Sequence, residues 1–123
     1  MKIKEQQIKS TLKELGVSPN LLGYYCLTAA VELLMDDFTL VNKKTKELYP
    51  KLAEIFGTTP SRIERRIRNA VQTGWGRGNQ ELQDELFGYT VDMEKGCPTN
   101  GEFVVTVADY LATLERESGG NVG

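Results

Sequence analysis

The chain has 123 residues, of which 40% are hydrophobic and 26% charged, and its formal net charge is −2. This length suffices for one domain that buries a core without disulfides or metal. No run of about 18 apolar residues occurs and the N-terminus lacks the apolar stretch of a signal peptide, so we expect a cytoplasmic protein with no membrane contact.

Composition also argues against an enzyme. Histidine is absent, which removes the commonest general base and the histidine-activated nucleophiles. The only two cysteines, Cys26 and Cys97, have no histidine or further cysteine with which to form a zinc site, so both are expected to be structural thiols. We expect no catalytic residue, no metal and no cofactor.

The first half of the chain predicts two helices and a connection. Residues 1–15 have a loose helical spacing of apolar residues, which predicts a linker or a loosely packed first helix. Ser18 and Pro19 are typical of an N-cap and a first-turn proline. The helix they would begin has one apolar stripe and ends at Asp36, and residues 38–44 form a connection or short helical turn.

The second half predicts four more helical segments. The first starts at Thr45 or at Tyr49, and stops at Gly57. The second begins at the N-cap candidate Thr59 and runs to Trp75, where three glycines in five residues disfavour its continuation. The remaining predictions are a short helix at 81–87, a loop at 88–100, a last helix with Thr99 and Glu102 as a capping box, and a disordered tail at 116–123.

The segment from Tyr49 to Val71 has the features of a helix-turn-helix. Ala53 is a small residue where the first helix must approach the second, and Gly57 suits a turn that requires a positive φ. Ile63 and Ile67 would supply the buried contact of the second helix. Because no convincing pair of strands occurs, the sequence predicts an all-α domain around this motif.

A helical wheel of residues 60–75 separates an apolar side from a polar side. The polar side carries the residue types that contact base edges in DNA: arginine on guanine, asparagine and glutamine on adenine, and glutamate on cytosine. These residues are Ser61, Arg65, Arg68, Asn69 and Gln72, with Arg62 and Glu64 at the margins. Four lysines at 43–51 add positive charge nearby, whereas residues 80–94 contain five acids and no base.

The chain resembles the C-terminal effector domain of the stage-zero sporulation protein A family over residues 15–114. The similarity is carried by LGV, GYYCLTAAVELL, KELYPKLAEIFGTTPSRIERRIRNAV, the RGN at 77–79, LFGYTV and PTNGEF, in this order. The resemblance implies about six helices in residues 16–115, binding to double-stranded DNA at a TGTCGAA-like box, contact with an RNA polymerase sigma subunit, and weak tandem self-association on DNA.

The resemblance also implies site residues. Base contacts correspond to Glu64, Arg65 and Arg68. For phosphate or secondary contacts the candidates are Ser61, Arg62, Arg66, Asn69 and Gln72. Arg66 stands where a small residue is expected, so it either reaches a phosphate or turns outward along the helix.

Two functions remain open from the sequence. The first is sequence-specific DNA binding in transcription regulation. The second is a protein-interaction module, a shortened paralogue that pairs with a full-length regulator or a sigma subunit and binds DNA weakly or not at all. The family's receiver domain is not in this sequence, which is either a piece of a longer regulator or a shortened paralogue.

Overall fold

The computed structural model describes residues 2–88 and 96–122, with side chains for 4–88 and 96–117. Within these ranges all regular structure is helical, which confirms the all-α prediction. The α-helices are α1 (Lys2–Glu14), α2 (Leu22–Asp36), α3 (Tyr49–Phe56), α4 (Pro60–Trp75), α5 (Gln80–Phe87) and α6 (Asn100–Val122). A 3₁₀ helix (Phe38–Lys43) and a π-helical turn (Lys44–Leu48) connect α2 to α3.

Helix α2 is the centre of the core and packs against α1, α4 and α6. It begins later than the sequence predicted. Ser18 does not cap it: the Ser18 hydroxyl accepts a hydrogen bond from the N–H of Asn20, which forms a turn, and the helix starts at Leu22 with no side-chain cap. Buried residues spread from Gly23 to Leu34 stabilise α2 without a cap, because packing outweighs local signals.

Helix α1 is a packed part of the core and not a loose segment. Ile8, Leu12 and Leu15 are fully buried. Lys4 Nζ lies 2.7 Å from a carboxylate oxygen of Asp36, which joins α1 to the end of α2. The Asp36 side chain raises the pKa of Lys4 above its ordinary value through this bond.

Three glycines allow the end of α1 to touch the end of α4 through backbone atoms. A Cβ at Gly16 or Gly74 would collide with the backbone of the other glycine, and one at Gly78 would collide with the carbonyl group of Leu15. The buried side chain of Gln83 hydrogen-bonds backbone groups at this junction. Its Nε2 donates to the carbonyl oxygens of Leu15 (3.1 Å) and Trp75 (2.7 Å). Close approach therefore explains the glycines that the sequence indicated only as helix breakers.

Helix α6 begins with the predicted capping box. The N–H of Thr99 donates to Glu102 Oε1 (2.8 Å), and the N–H of Glu102 donates to Thr99 Oγ1 (3.1 Å). The helix continues to Val122 within the described residues, whereas the sequence predicted a disordered tail at 116–123. Each residue added to an existing helix forms one more backbone hydrogen bond, so the helix can extend beyond its buried residues. Most of the loop predicted at 88–100 lies outside the described residues.

Candidate nucleic-acid interface

The turn between α3 and α4 is built as the sequence predicted. Gly57 has a φ of 63° and is left-handed. The N–H of Thr58 donates to the carbonyl oxygen of Ala53 (2.9 Å), which closes the end of α3. Thr59 then caps α4, since its hydroxyl accepts from the N–H of Arg62 (3.2 Å), and Pro60 is the first helical residue. These contacts fix the angle at which α4 leaves α3.

The apolar side of α4 faces the core. Ile63, Ile67 and Ala70 have no exposed surface, and Val71 and Gly74 are also buried. At the crossing with α2 the two backbones are close, because a Cβ at Gly23 would collide with the carbonyl oxygen of Arg66. The rotation of α4 about its own axis is therefore set by packing.

The polar side of α4 faces solvent, which is where the sequence placed it. The exposed residues are Ser61, Arg62, Arg65, Arg68, Asn69 and Gln72. Glu64 is half-exposed, and its carboxylate lies 3.2 Å from a guanidinium nitrogen of Arg68, one turn further along the helix. With about half of each side chain in water, this ion pair is worth at most about 0.5 kcal/mol. Breaking this ion pair therefore costs little free energy, so Glu64 and Arg68 are both available to bind another ligand.

Arg66 is not on this exposed surface. It is half-buried beside Cys26 of α2. Burial raises the pKa of the Cys26 thiol, and hydrogen bonding by the Arg66 guanidinium offsets part of that rise. The two sequence expectations for Arg66, a phosphate contact or an outward position, both stay predictions.

The lysines of residues 43–51 are not equally available to a ligand. Lys43 Nζ lies 3.5 Å from a Glu47 carboxylate oxygen, and Lys44 Nζ donates to the carbonyl oxygen of Val41 (3.2 Å). Lys46 and Lys51 are exposed, and neither forms an ion pair with another residue that the structure describes. The positive charge that this segment can offer to a polyanion is thus concentrated on these two residues.

A cleft of about 870 Å³ separates part of the polar side of α4 from the start of α6. Glu64, Arg68 and Gln72 form one wall, and Thr99 and Asn100 belong to the other. One hydrogen bond bridges the two helices here: Asn100 Nδ2 donates to the backbone carbonyl oxygen of Glu64 (3.0 Å). Sequence reasoning missed Asn100, because no local pattern links residues that are 36 positions apart.

Within the part of the chain that the structure describes, no group of three or more histidine, cysteine, aspartate or glutamate residues could hold a metal ion. None of the helices described there is long and apolar enough to cross a membrane.

A comparison with protein families identifies the family of the chain that carries this exposed helix. The family described as "Sporulation initiation factor Spo0A C terminal" matches residues 8–111. The chain belongs to this family. It is a DNA-binding domain of a sporulation regulator, which is a regulatory and not an enzymatic family. The match includes α1 from Ile8 onward, in agreement with the burial of that helix.

Proposed function

We propose that this domain binds a TGTCGAA-like box through α4 and thereby regulates transcription. Glu64, Arg65 and Arg68 read base edges. The observation that supports this most directly is the helix itself: a capped, rigidly packed α4 exposes arginine and amide side chains and buries its apolar ones. An arginine fork on guanine and a glutamate on a cytosine amino group each discriminate against other bases by about 1–3 kcal/mol.

Phosphate contacts, in this proposal, come from Ser61, Arg62, Asn69 and Gln72. All four are exposed on the same side of α4 as the base-reading residues. Ser61 and Arg62 lie in its first turn, where the partial positive charge of the helix N-terminus also favours phosphate. Arg66, which is half-buried beside Cys26, is the remaining candidate for a phosphate or secondary contact.

The test is a fluorescence anisotropy titration with two duplexes of equal length and composition, one with the box and one scrambled. We expect the box to be bound roughly tenfold more tightly or better at the same salt concentration. Log affinity for both should fall linearly with log salt, because phosphate contacts release counterions. Equal affinities would instead favour the protein-interaction module, which would then bind partner proteins as its main activity.

We further propose that two copies bind adjacent boxes in tandem and that the segment after α4 contacts a sigma subunit. Neighbouring boxes hold two domains at high effective concentration, so a weak contact becomes significant only on DNA. Inserting about 5 bp, half a helical turn, between two boxes should abolish cooperative filling. The sigma contact can be tested by substituting Glu81 and Glu85, two exposed acids of α5. We expect these variants to lose transcription activity and to retain DNA binding.

A further inference from the structure

The hydrogen bond from Asn100 reaches the part of α4 that is proposed to read bases. Its acceptor is the carbonyl oxygen of Glu64, which precedes Arg65 and lies one turn before Arg68. A carbonyl oxygen has two lone pairs, so it can accept from Asn100 in addition to its partner within the helix. The contact with Asn100 therefore forms without breaking a backbone hydrogen bond of α4.

The position of Asn100 is itself well determined. It is the first residue of α6 and directly follows Thr99, whose hydroxyl and N–H both take part in the capping box. Tyr49, the first residue of α3, lines the same cleft as Asn100. Asn100 thus lies where α3, α4 and α6 meet.

The bridge from Asn100 lies on the open side of α4, away from its buried residues. The cleft of about 870 Å³ lies between this side of α4 and the start of α6, and Glu64, Asn100 and Tyr49 are all in its lining. Packing of Ile63 and Ile67 sets the rotation of α4, whereas the bridge adds one directional contact at the Glu64 turn. Removing the bridge lets water bond the freed groups, so we expect a small local displacement of this turn and little loss of stability.

We propose that Asn100 is a positioning residue for sequence recognition, which holds the Glu64–Arg68 turn of α4 at the distance from α6 that base reading requires. This inference rests on the proposed function. A bidentate contact between arginine and guanine tolerates little displacement, whereas a phosphate contact by a flexible side chain tolerates more. Asn100 therefore acts on discrimination between duplexes and not on general affinity for DNA.

The test compares Asn100→Ala with the matched control Asn79→Ala on box and scrambled duplexes. Asn100→Ala should weaken binding to the box about fivefold, the equivalent of one hydrogen bond, and binding to the scrambled duplex less than about twofold. Asn79→Ala removes the side-chain cap of α5, which is not part of the bridge, and should leave the ratio of the two affinities unchanged. Thermal melts should show a fall in Tm of no more than about 5 °C for Asn100→Ala.

A double-mutant cycle with Arg68→Ala separates positioning from structural support. If Asn100 acts through the turn that carries Arg68, Asn100→Ala should cost little affinity for the box once Arg68 is absent.

Additive losses in that cycle, or unchanged discrimination by Asn100→Ala, would overturn the proposal. An Asn100→Ala variant that does not fold would assign the bond to structural support and also overturn it. An Asn79→Ala variant that loses discrimination equally would show that the loss is not specific to this bond, with the same consequence. A wild-type protein that does not distinguish the duplexes would refute the proposed function itself, which is a different result from any of these.

Discussion

The two sides of α4 belong to one helix but differ in burial, charge and side-chain chemistry. One side has Ile63, Ile67 and Ala70 with no exposed surface, so it fixes the helix in the fold. The other has arginine and amide side chains in solvent, where the ion pair between Glu64 and Arg68 is weak. The comparison shows how a small domain holds a recognition helix rigidly while its ligand-binding groups remain free to exchange partners.

The largest expected effect comes from the buried side. Ile67→Ala removes fully buried methyl groups and should lower the free energy of unfolding by about 2–4 kcal/mol, as measured by urea or thermal denaturation. Binding to box and scrambled duplexes should fall together, in proportion to the folded fraction. The matched change on the exposed side, Arg65→Ala, should alter stability by less than about 0.5 kcal/mol. Similar losses of stability for both variants would remove the distinction between the two sides.

A somewhat smaller effect is expected where α2 crosses α4. Gly23→Ala introduces a methyl group against the Arg66 carbonyl oxygen and 2.6 Å from Ala70 Cβ. Relieving this overlap should cost about 1–3 kcal/mol of unfolding free energy. Gly76→Ala is the control, because its Cβ would meet nothing within 4 Å. If the two alanine variants melted at the same temperature, the close crossing would be wrong.

The smallest expected effect is a difference in reactivity between the two cysteines, and its measurement requires no substitution. Cys26 lies buried against the inner side of α4, and burial raises the pKa of its thiol. Cys97 is half-exposed. A thiol reagent at pH 8 should modify Cys97 first and Cys26 only on unfolding, because the raised pKa leaves less thiolate at Cys26 and the core excludes the reagent. Mass spectrometry of modified peptides gives the order, and early labelling of Cys26 would contradict the packing of α2 on α4.

Local signals in the sequence predicted the local parts of this molecule. The wheel of α4, the left-handed Gly57, the cap at Thr59 and the capping box at Thr99 depend on neighbours within one or two turns, and all are present. The chemistry of the polar side of α4 could also be predicted, since exposed arginines repeat with the helical period.

Features that depend on distant contacts could not be predicted in this way. The burial of Ile8 in α1, the turn of Arg66 toward Cys26 and the bond from Asn100 to Glu64 all join elements far apart in the chain. The false start of α2 at Ser18 has the same origin, because tertiary packing overrides a good local cap.

The exposed side of α4 is proposed to read bases and not merely to attract phosphates. Arg65→Ala and Arg68→Ala, titrated against box and scrambled duplexes at one salt concentration, test base reading most directly. We expect a loss of about 1–3 kcal/mol on the box for each variant and a much smaller loss on the scrambled duplex. Equal losses on both duplexes would mean that these arginines contact only phosphate, and would refute base reading by α4.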